Sequence, residues 1–249
     1  MNLVLFEPAE VGADGSVRVT GARAAHLEKV LGVSPGAVVR VGVIDGPVGA
    51  GTVTSVSDRG IELRCVFDAV PEPPRVDLLL AVPRPKVLRR LWAQVAALGV
   101  GQVILTNAEK VERDYVGSHV VREDVYRPLL VEGLQQAKDT RLPRVSIHKR
   151  FKVLVEDDLD RLCPGARRIV AHPCPHPRGT RSVASALEGI AEEERVLVAV
   201  GPEGGWNDFE IALLETHGFV NVSLGPRTLA TTTACVALLA LVHDALSKP

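Results

Sequence analysis

The pattern of apolar residues changes at the proline-rich stretch "PEPP" (71–74), and this change constrains the fold more than any other feature. Beyond it, continuous apolar runs alternate with amphipathic segments, starting with "VDLLLAV" (76–82) and "KVLRRLWAQVAALG" (86–99). A strand that is apolar at every position is covered on both faces, and helices between such strands are typical of parallel sheets. The sequence therefore predicts an α/β fold with a mostly parallel sheet. The further predicted elements are strands at 100–106, 167–173, 195–201 and 220–225, and a long helix around 122–138.

Residues 1–70 show a different pattern, in which short alternating runs are separated by turns rich in Pro, Gly and Asp. This pattern is typical of a small all-β barrel or sandwich. One helix is predicted to interrupt it at 21–31. We therefore expect a β-rich domain at 1–70, a stiff proline linker at 71–75 and an α/β domain at 76–249. The alternating runs are 38–45, 49–56 and 60–67.

Composition and short sequence patterns favour a globular protein of the cytoplasm over a membrane protein or a secreted one. Hydrophobic residues make up 46% of the 249, which is enough for a sizeable core. The longest apolar run near the C-terminus, 234–242, is much shorter than the ~20 residues that span a bilayer. The stretch "MNLVLFEPAE" has no basic segment or cleavage pattern, and the four cysteines show no CxxC spacing. These features predict reduced thiols, a cytoplasmic location and no membrane partner.

Basic side chains cluster in two stretches although the net charge is only −1. "PRPKVLRR" (83–90) and "RLPRVSIHKRFK" (141–152) contain no acid. Such clusters can form a local face for nucleic-acid phosphates, and the alternative is ordinary solvated surface. The predicted RNA-binding residues are Arg84, Lys86, Arg89, Arg90, Arg141 and Arg144.

A glycine-rich loop interrupts "VAVGPEGGWNDFE" (198–210), where a predicted strand passes into a predicted helix. Asn207 is placed to cap that helix, and Glu210 has the spacing of a capping box. No GxxxxGK[ST] or GxGxxG motif is present, and an acid in the loop disfavours a pure phosphate cradle. The loop is either a ligand site at the carboxyl end of a strand or a tight turn. Trp206 either covers that site or staples the helix. The loop residues are Gly201, Pro202, Glu203, Gly204 and Gly205.

A second loop repeats this design in "VSLGPRTLATTTACVALLALVHDAL" (222–246). Thr231, Thr232 or Thr233 is predicted to cap the helix that follows. This helix is apolar nearly all round, so it is buried in the core or at a subunit interface, and we expect a homodimer built partly on residues 234–246.

Cysteine and histidine side chains between residues 163 and 177 suggest a metal site, but their spacing matches no familiar zinc pattern. No metal is therefore predicted. His172 and Pro173 are instead expected to line a ligand pocket at a strand end. The rejected metal ligands are Cys163, His172, Cys174 and His176.

"GPEGGWNDFE", followed by "LGPRTLATTTA" and an apolar helix, resembles the RsmE family of 16S ribosomal RNA uridine N3-methyltransferases in the SPOUT superfamily. "HLEKVLGVSPG" (26–36) and "PRPKVLRRLWAQVAALGV" (83–100) extend the likeness over most of the chain. The resemblance implies a PUA-like barrel and a SPOUT domain whose trefoil knot holds S-adenosylmethionine (SAM). It also implies a homodimer that acts on small-subunit ribosomal RNA. The cofactor-binding residues it points to are His172, Pro173, Gly201, Pro202, Glu203, Gly204, Gly205, Leu224, Gly225, Leu229, Ala230 and Thr231.

The sequence lacks both of the later charged residues of the family motif LGxRILRTETA, since Ala230 stands in place of the second arginine and Thr232 in place of the glutamate. Two alternatives therefore stay open: a SPOUT methyltransferase for transfer RNA or 23S ribosomal RNA, and a non-catalytic RNA-binding relative.

Methylation at N3 of uridine requires loss of the N3 proton, and a nearby cation stabilises the anion. Arg227 is the candidate for this catalytic role, and a phosphate or carboxylate clamp is its alternative.

Overall fold

The computed structural model describes residues 3–173 and 181–247. Its contacts divide the chain into two compact units. The first unit comprises Met1–Pro73 with Val131–Leu142, and the second comprises Pro74–Leu130 with Pro143–Pro249. Among the described residues, no helix is long and apolar enough to cross a bilayer.

The first unit is built on a five-stranded mixed sheet with the order β1-β3-β4-β5-β2. Only the pairing of β1 with β3 is parallel in this sheet as described. Phe6, Leu27, Val41 and Ile61 are fully or almost fully buried in its core. The predicted β-rich unit with one α-helix is confirmed, and two short strands before the helix were not predicted. The elements are β1 Val4–Phe6, β2 Ser16–Val19, α1 Gly21–Lys29, β3 Val38–Val43, β4 Val48–Ser57 and β5 Gly60–Ala69.

Residues 131–142 belong to the first unit, although the sequence suggested one unbroken domain from 76 onwards. Hydrogen bonds explain this difference. The Thr140 hydroxyl donates to the Gly46 carbonyl at 2.6 Å, and the Leu142 N–H donates to the Asp45 carboxylate at 2.9 Å. The Arg141 guanidinium donates twice to the Pro71 carbonyl, at 2.9 and 2.6 Å. Sequence periodicity does not reveal such long-range polar contacts.

The second unit contains a six-stranded sheet with the order β11-β9-β10-β6-β7-β8, and every strand pair in it is parallel. This confirms the predicted α/β fold with a mostly parallel sheet. The strands are β6 Val76–Ala81, β7 Val100–Thr106, β8 Arg144–His148, β9 Arg167–Ala171, β10 Val196–Val200 and β11 Phe219–Val222. The helices are α2 Pro85–Ala97, α3 Glu123–Ala137, α4 Phe151–Val153, α5 Leu159–Leu162, α6 Val183–Ala186, α7 Asp208–Thr216 and α8 Thr231–Leu246, with a π-helical turn at Leu154–Asp158.

The core of the second unit follows the apolar pattern of the sequence. Strands β6 and β10 are buried at every position, because helices cover both faces of a parallel sheet. Helix α2 buries Leu88, Leu91 and Trp92, and the Trp92 indole N–H donates to the Val120 carbonyl at 3.0 Å. Gly99 follows the helix with a φ of +70°, which glycine adopts readily. The sequence thus located both the buried stripe and the end of this helix.

Candidate active site

The carboxyl ends of β9, β10 and β11 lie side by side, because β9 pairs with both of the other strands. His172 and Pro173 follow β9, the glycine-rich loop follows β10, and residues 223–230 follow β11. Ligands of open parallel sheets bind at this edge. The sheet order therefore brings the predicted cofactor-binding segments to one place.

Each glycine of the first loop has close neighbours or a backbone conformation that favours glycine. A Cβ atom at Gly201 would lie 3.1 Å from the Trp206 indole, and one at Gly204 would lie 2.9 Å from Cδ of Lys110. Gly205 has a φ of +68°, a conformation that side chains disfavour. Turn geometry thus accounts for Gly205, and neighbouring side chains lie close to Gly201 and Gly204. The approach of a ligand to this backbone stays a prediction.

Two polar contacts hold the glycine loop against other parts of the second unit. Oε1 of Glu203 accepts a hydrogen bond from the Arg84 N–H at 3.0 Å, just before α2. Nζ of Lys110 donates to the Gly204 carbonyl at 2.9 Å. Glu203 is one of the predicted cofactor-binding residues, and the structure shows its carboxylate at the start of α2.

The predicted capping box at the start of α7 is confirmed. Oδ1 of Asn207 accepts the Glu210 N–H, and Oε2 of Glu210 accepts the Asn207 N–H, both at 2.8 Å. The other oxygen of Glu210 accepts the Glu109 N–H at 2.8 Å, so this buried carboxylate also joins α7 to the loop after β7. Local spacing predicts the first two bonds but contains no signal for the third.

Trp206 lies inside the second unit, with 2% of its surface exposed. Its ring packs against Phe151, with centroids 5.0 Å apart, and it covers Gly201 on another side. Its Nε1 is buried and has no hydrogen-bond partner among the residues that the structure describes. Trp206 therefore anchors the loop from within.

His172 lies beside the glycine loop, since its Cε1 is 3.8 Å from the position of a Cβ at Gly205. Burial lowers the pKa of His172, and the positive charge of Lys110 lowers it further. Nδ1 is buried, and no partner for it is found within 3–173 and 181–247. The neutral imidazole therefore offers a ring nitrogen at the site.

We expect the protein to lose stability as the pH falls below the ordinary histidine pKa of 6.5, and part of this loss should come from His172. The folded state binds this proton less readily than the unfolded chain, so the loss begins near 6.5 and is complete below the folded pKa. Thermal unfolding between pH 7.5 and 5 measures it. H172Q should flatten the profile and H119Q, at an exposed histidine, should not. Equal profiles for H172Q and the parent would contradict the expectation.

The loop after β11 is largely exposed. Arg227 makes no ion pair or hydrogen bond with the described part of the chain, so its guanidinium is available to a ligand. Gly225 has a φ of +106°, and no atom of the described residues lies within 4 Å of the position of a Cβ there. The prediction that a threonine caps α8 is wrong. The helix begins at Thr231 with Ala230 at the N-cap, and alanine has no side-chain acceptor.

The predicted RNA-binding residues have different surroundings. The four cations of 83–90 are exposed around the start of α2, and Arg144 is exposed at the start of β8. Arg141 is half-buried and bound to the Pro71 carbonyl in the first unit, so its guanidinium already has a structural partner. Their contact with RNA stays a prediction.

The candidate metal ligands show no metal centre within the described ranges, where no group of three His, Cys, Asp or Glu side chains is arranged to hold an ion. Cys174 and His176 lie outside those residues. Sγ of Cys163 lies 3.8 Å from a carboxylate oxygen of Asp77. Burial raises the pKa of this thiol to about 12, with Asp77 contributing. Cys163 is therefore a structural thiol of the core.

This fold, with three loops side by side at one edge of a parallel sheet, belongs to a known family of RNA-modifying enzymes. A family model described as "RNA methyltransferase domain" matches residues 70–243, and the chain belongs to this family. The resemblance to the RsmE group within it is also confirmed.

Ribosomal RNA small subunit methyltransferase E of Treponema pallidum is 29% identical over 248 residues, covering 97% of this chain and 90% of the relative. The protein of the same name from Mycobacterium tuberculosis is 25% identical, covering 100% of this chain and 94% of the relative. The crystal structure of the Neisseria gonorrhoeae protein of that name, bound to S-adenosyl methionine, has a TM-score of 0.76 at 20% identity, covering 98% of this chain and 97% of that one. This last likeness supports the fold.

Proposed function

We propose that the chain is a SAM-dependent methyltransferase acting on N3 of a uridine in 16S ribosomal RNA. The convergence of the loops after β9, β10 and β11 carries this proposal. It is supported by family membership and by relatives named for the small-subunit ribosomal RNA. A cytoplasmic location follows from this substrate.

The residues at the site fit SAM on two observations. The space beside Gly225 is open among the described residues, and the orphaned Nδ1 of His172 is a polar atom that a ligand can satisfy. When bound, this cofactor supplies a methyl group activated by a sulfonium. The side chains and backbone groups that would hold it are those of His172, Pro173, 201–205, Leu224, Gly225 and 229–231.

The chain itself would align the uridine and exclude water from the reacting atoms. Arg227 stabilises the anion at N3 of the uridine, because a guanidinium is always charged and this one has no partner among the described side chains. The replacements at Ala230 and Thr232 remove an arginine and a glutamate of the family motif, so they are expected to affect contacts to RNA more than contacts to the cofactor.

Three finer features belong to the proposal: a PUA-like RNA-binding first unit, a trefoil knot around the cofactor loops, and a homodimer. The mixed sheet of the first unit supports the PUA-like assignment, and the insertion of β10 between β6 and β9 suits a knotted chain. Val236 and Leu241 support a dimer through α8, since 36% and 44% of their surfaces are exposed.

Mapping of the modified nucleotide tests the function. We expect 16S ribosomal RNA from a deletion strain to lack one N3-methyluridine in nucleoside mass spectrometry, and the purified protein to restore it with SAM. A missing methyl group in transfer RNA or 23S ribosomal RNA would redirect the substrate. Absence of SAM binding in calorimetry would favour a non-catalytic RNA-binding protein.

Sedimentation of the same preparation tests the homodimer. A stable monomer at micromolar concentration would contradict it.

A further inference from the structure

A cavity of about 340 Å³ lies beside the glycine loop, within the second unit. It is formed by the loop after β7, the segment after β8 and the first turn of α7. Phe151 forms part of its wall and packs with its ring against Trp206, which in turn covers Gly201. The cavity therefore adjoins the candidate active site and shares none of its predicted cofactor residues.

Three cations line this cavity: Arg113, Lys149 and Lys152. Lys152 lies 3.7 Å from Glu156, whereas Arg113 and Lys149 have no ion-pair partner within the described part of the chain. Two acids also line the cavity, and both oxygens of one of them, Glu210, already accept backbone N–H groups. The charged side chains of the cavity that have no such partner are thus mainly positive, and this suits a phosphate.

An aromatic ring is exposed at the same cavity. Phe209, in the first turn of α7, has 58% of its surface exposed although it is a large apolar residue. Exposed rings beside cations are the usual platforms on which single-stranded nucleic acids stack their bases. Asn107 also lines the cavity, and its Oδ1 is buried with no hydrogen-bond partner among the described residues.

We propose that this cavity binds one unpaired nucleotide of the RNA substrate, next to the uridine that is methylated. The base stacks on Phe209, and its phosphate contacts Arg113 and Lys149. The nucleotide must be unpaired, because a base stacked inside a duplex does not expose its face to a side chain. This inference rests on the proposed function and adds to it a second point of contact with the substrate.

Variants of the ring and of the cations test the inference by fluorescence anisotropy with a labelled single-stranded 16S ribosomal RNA fragment. F209A should weaken binding about tenfold, and F209Y should restore it, because stacking requires the ring. The R113A/K149A double variant should weaken binding. The slope of log K against the logarithm of the salt concentration should become shallower by about 0.7 for each phosphate contact that is lost. R161A, at an exposed arginine outside the cavity, is the matched control and should bind RNA like the parent.

SAM affinity, measured by calorimetry on the same proteins, should be unchanged in all of them. Parental RNA affinity in both F209A and the double variant would overturn the inference, and the function would stand if the parent still methylates RNA. Loss of SAM binding with RNA binding intact would also overturn it, by assigning the cavity to the cofactor. A parent that binds RNA through this cavity but neither binds SAM nor methylates RNA would support the inference and overturn the proposed function.

Discussion

R227A is expected to reduce kcat for RNA methylation by about 10²–10³, the effect of removing one preorganised group that stabilises developing charge. Its affinity for SAM should stay within about twofold of the parent, because the proposed role of Arg227 is toward the uridine. Arg227 is exposed and unpaired among the described residues, so the fold should be unaffected. Single-turnover methylation of a 16S ribosomal RNA fragment measures the rate, and calorimetry measures cofactor affinity.

R227K is the informative companion, because lysine keeps the charge and loses the planar donor geometry. We expect it to recover part of the rate. R161A controls for general loss of positive surface charge and should methylate at the parental rate. If R227A lost SAM binding while keeping its fold, Arg227 would belong to the cofactor site and its catalytic role would be refuted.

E210A is expected to destabilise the start of α7 by about 3 kcal/mol, because two backbone N–H groups lose a charged acceptor. Those groups belong to Glu109 and Asn207, and Glu210 itself is only 4% exposed. Because every 1.4 kcal/mol corresponds to about a factor of ten, hydrogen exchange of these two amides through local opening should become about 10²-fold faster. Exchange measured by NMR reports this directly, and SAM affinity should fall with it because α7 starts at the glycine loop.

E215A is the matched control, since Glu215 is an exposed glutamate on the same helix. It should change stability by no more than about 0.5 kcal/mol. E210Q keeps one carbonyl acceptor and should fall between E210A and the parent. Unchanged exchange at Glu109 in E210A would show that the carboxylate does not join these two segments in solution.

The second unit was predictable where a single local signal decides the structure. Apolar runs located β6 and β10, and the spacing of Asn207 and Glu210 identified the capping box. Strand β8 was not predicted, because it is short, partly exposed and embedded in a basic stretch. The helical segment from Phe151 to Leu162 was also missed, although its buried residues Phe151, Leu154 and Val155 have helical spacing.

The sequence predicts which loops form the candidate site, but it does not predict which residues contact one another there. Strand ends and glycines located the segments in sequence, but only the sheet order shows that β9 lies between β10 and β11. Two of the three glycines, Gly204 and Gly205, have neighbours from distant parts of the chain. Lys110 lies 94 positions from Gly204, so no local pattern indicates that its side chain occupies the space there.

The position of β10 in the sheet determines when this unit can be completed during synthesis. Its partner β6 lies about 120 residues earlier in the chain, and its other neighbour is β9. Strands β6, β7 and β8 can pair as soon as they leave the ribosome, but one edge of β6 stays open until residue 200 has been made. Contacts this far apart in sequence form slowly, and open strand edges invite aggregation. A chain that ends before β10 lacks a central strand together with both glycine loops, so premature termination removes the fold and the candidate site in one step.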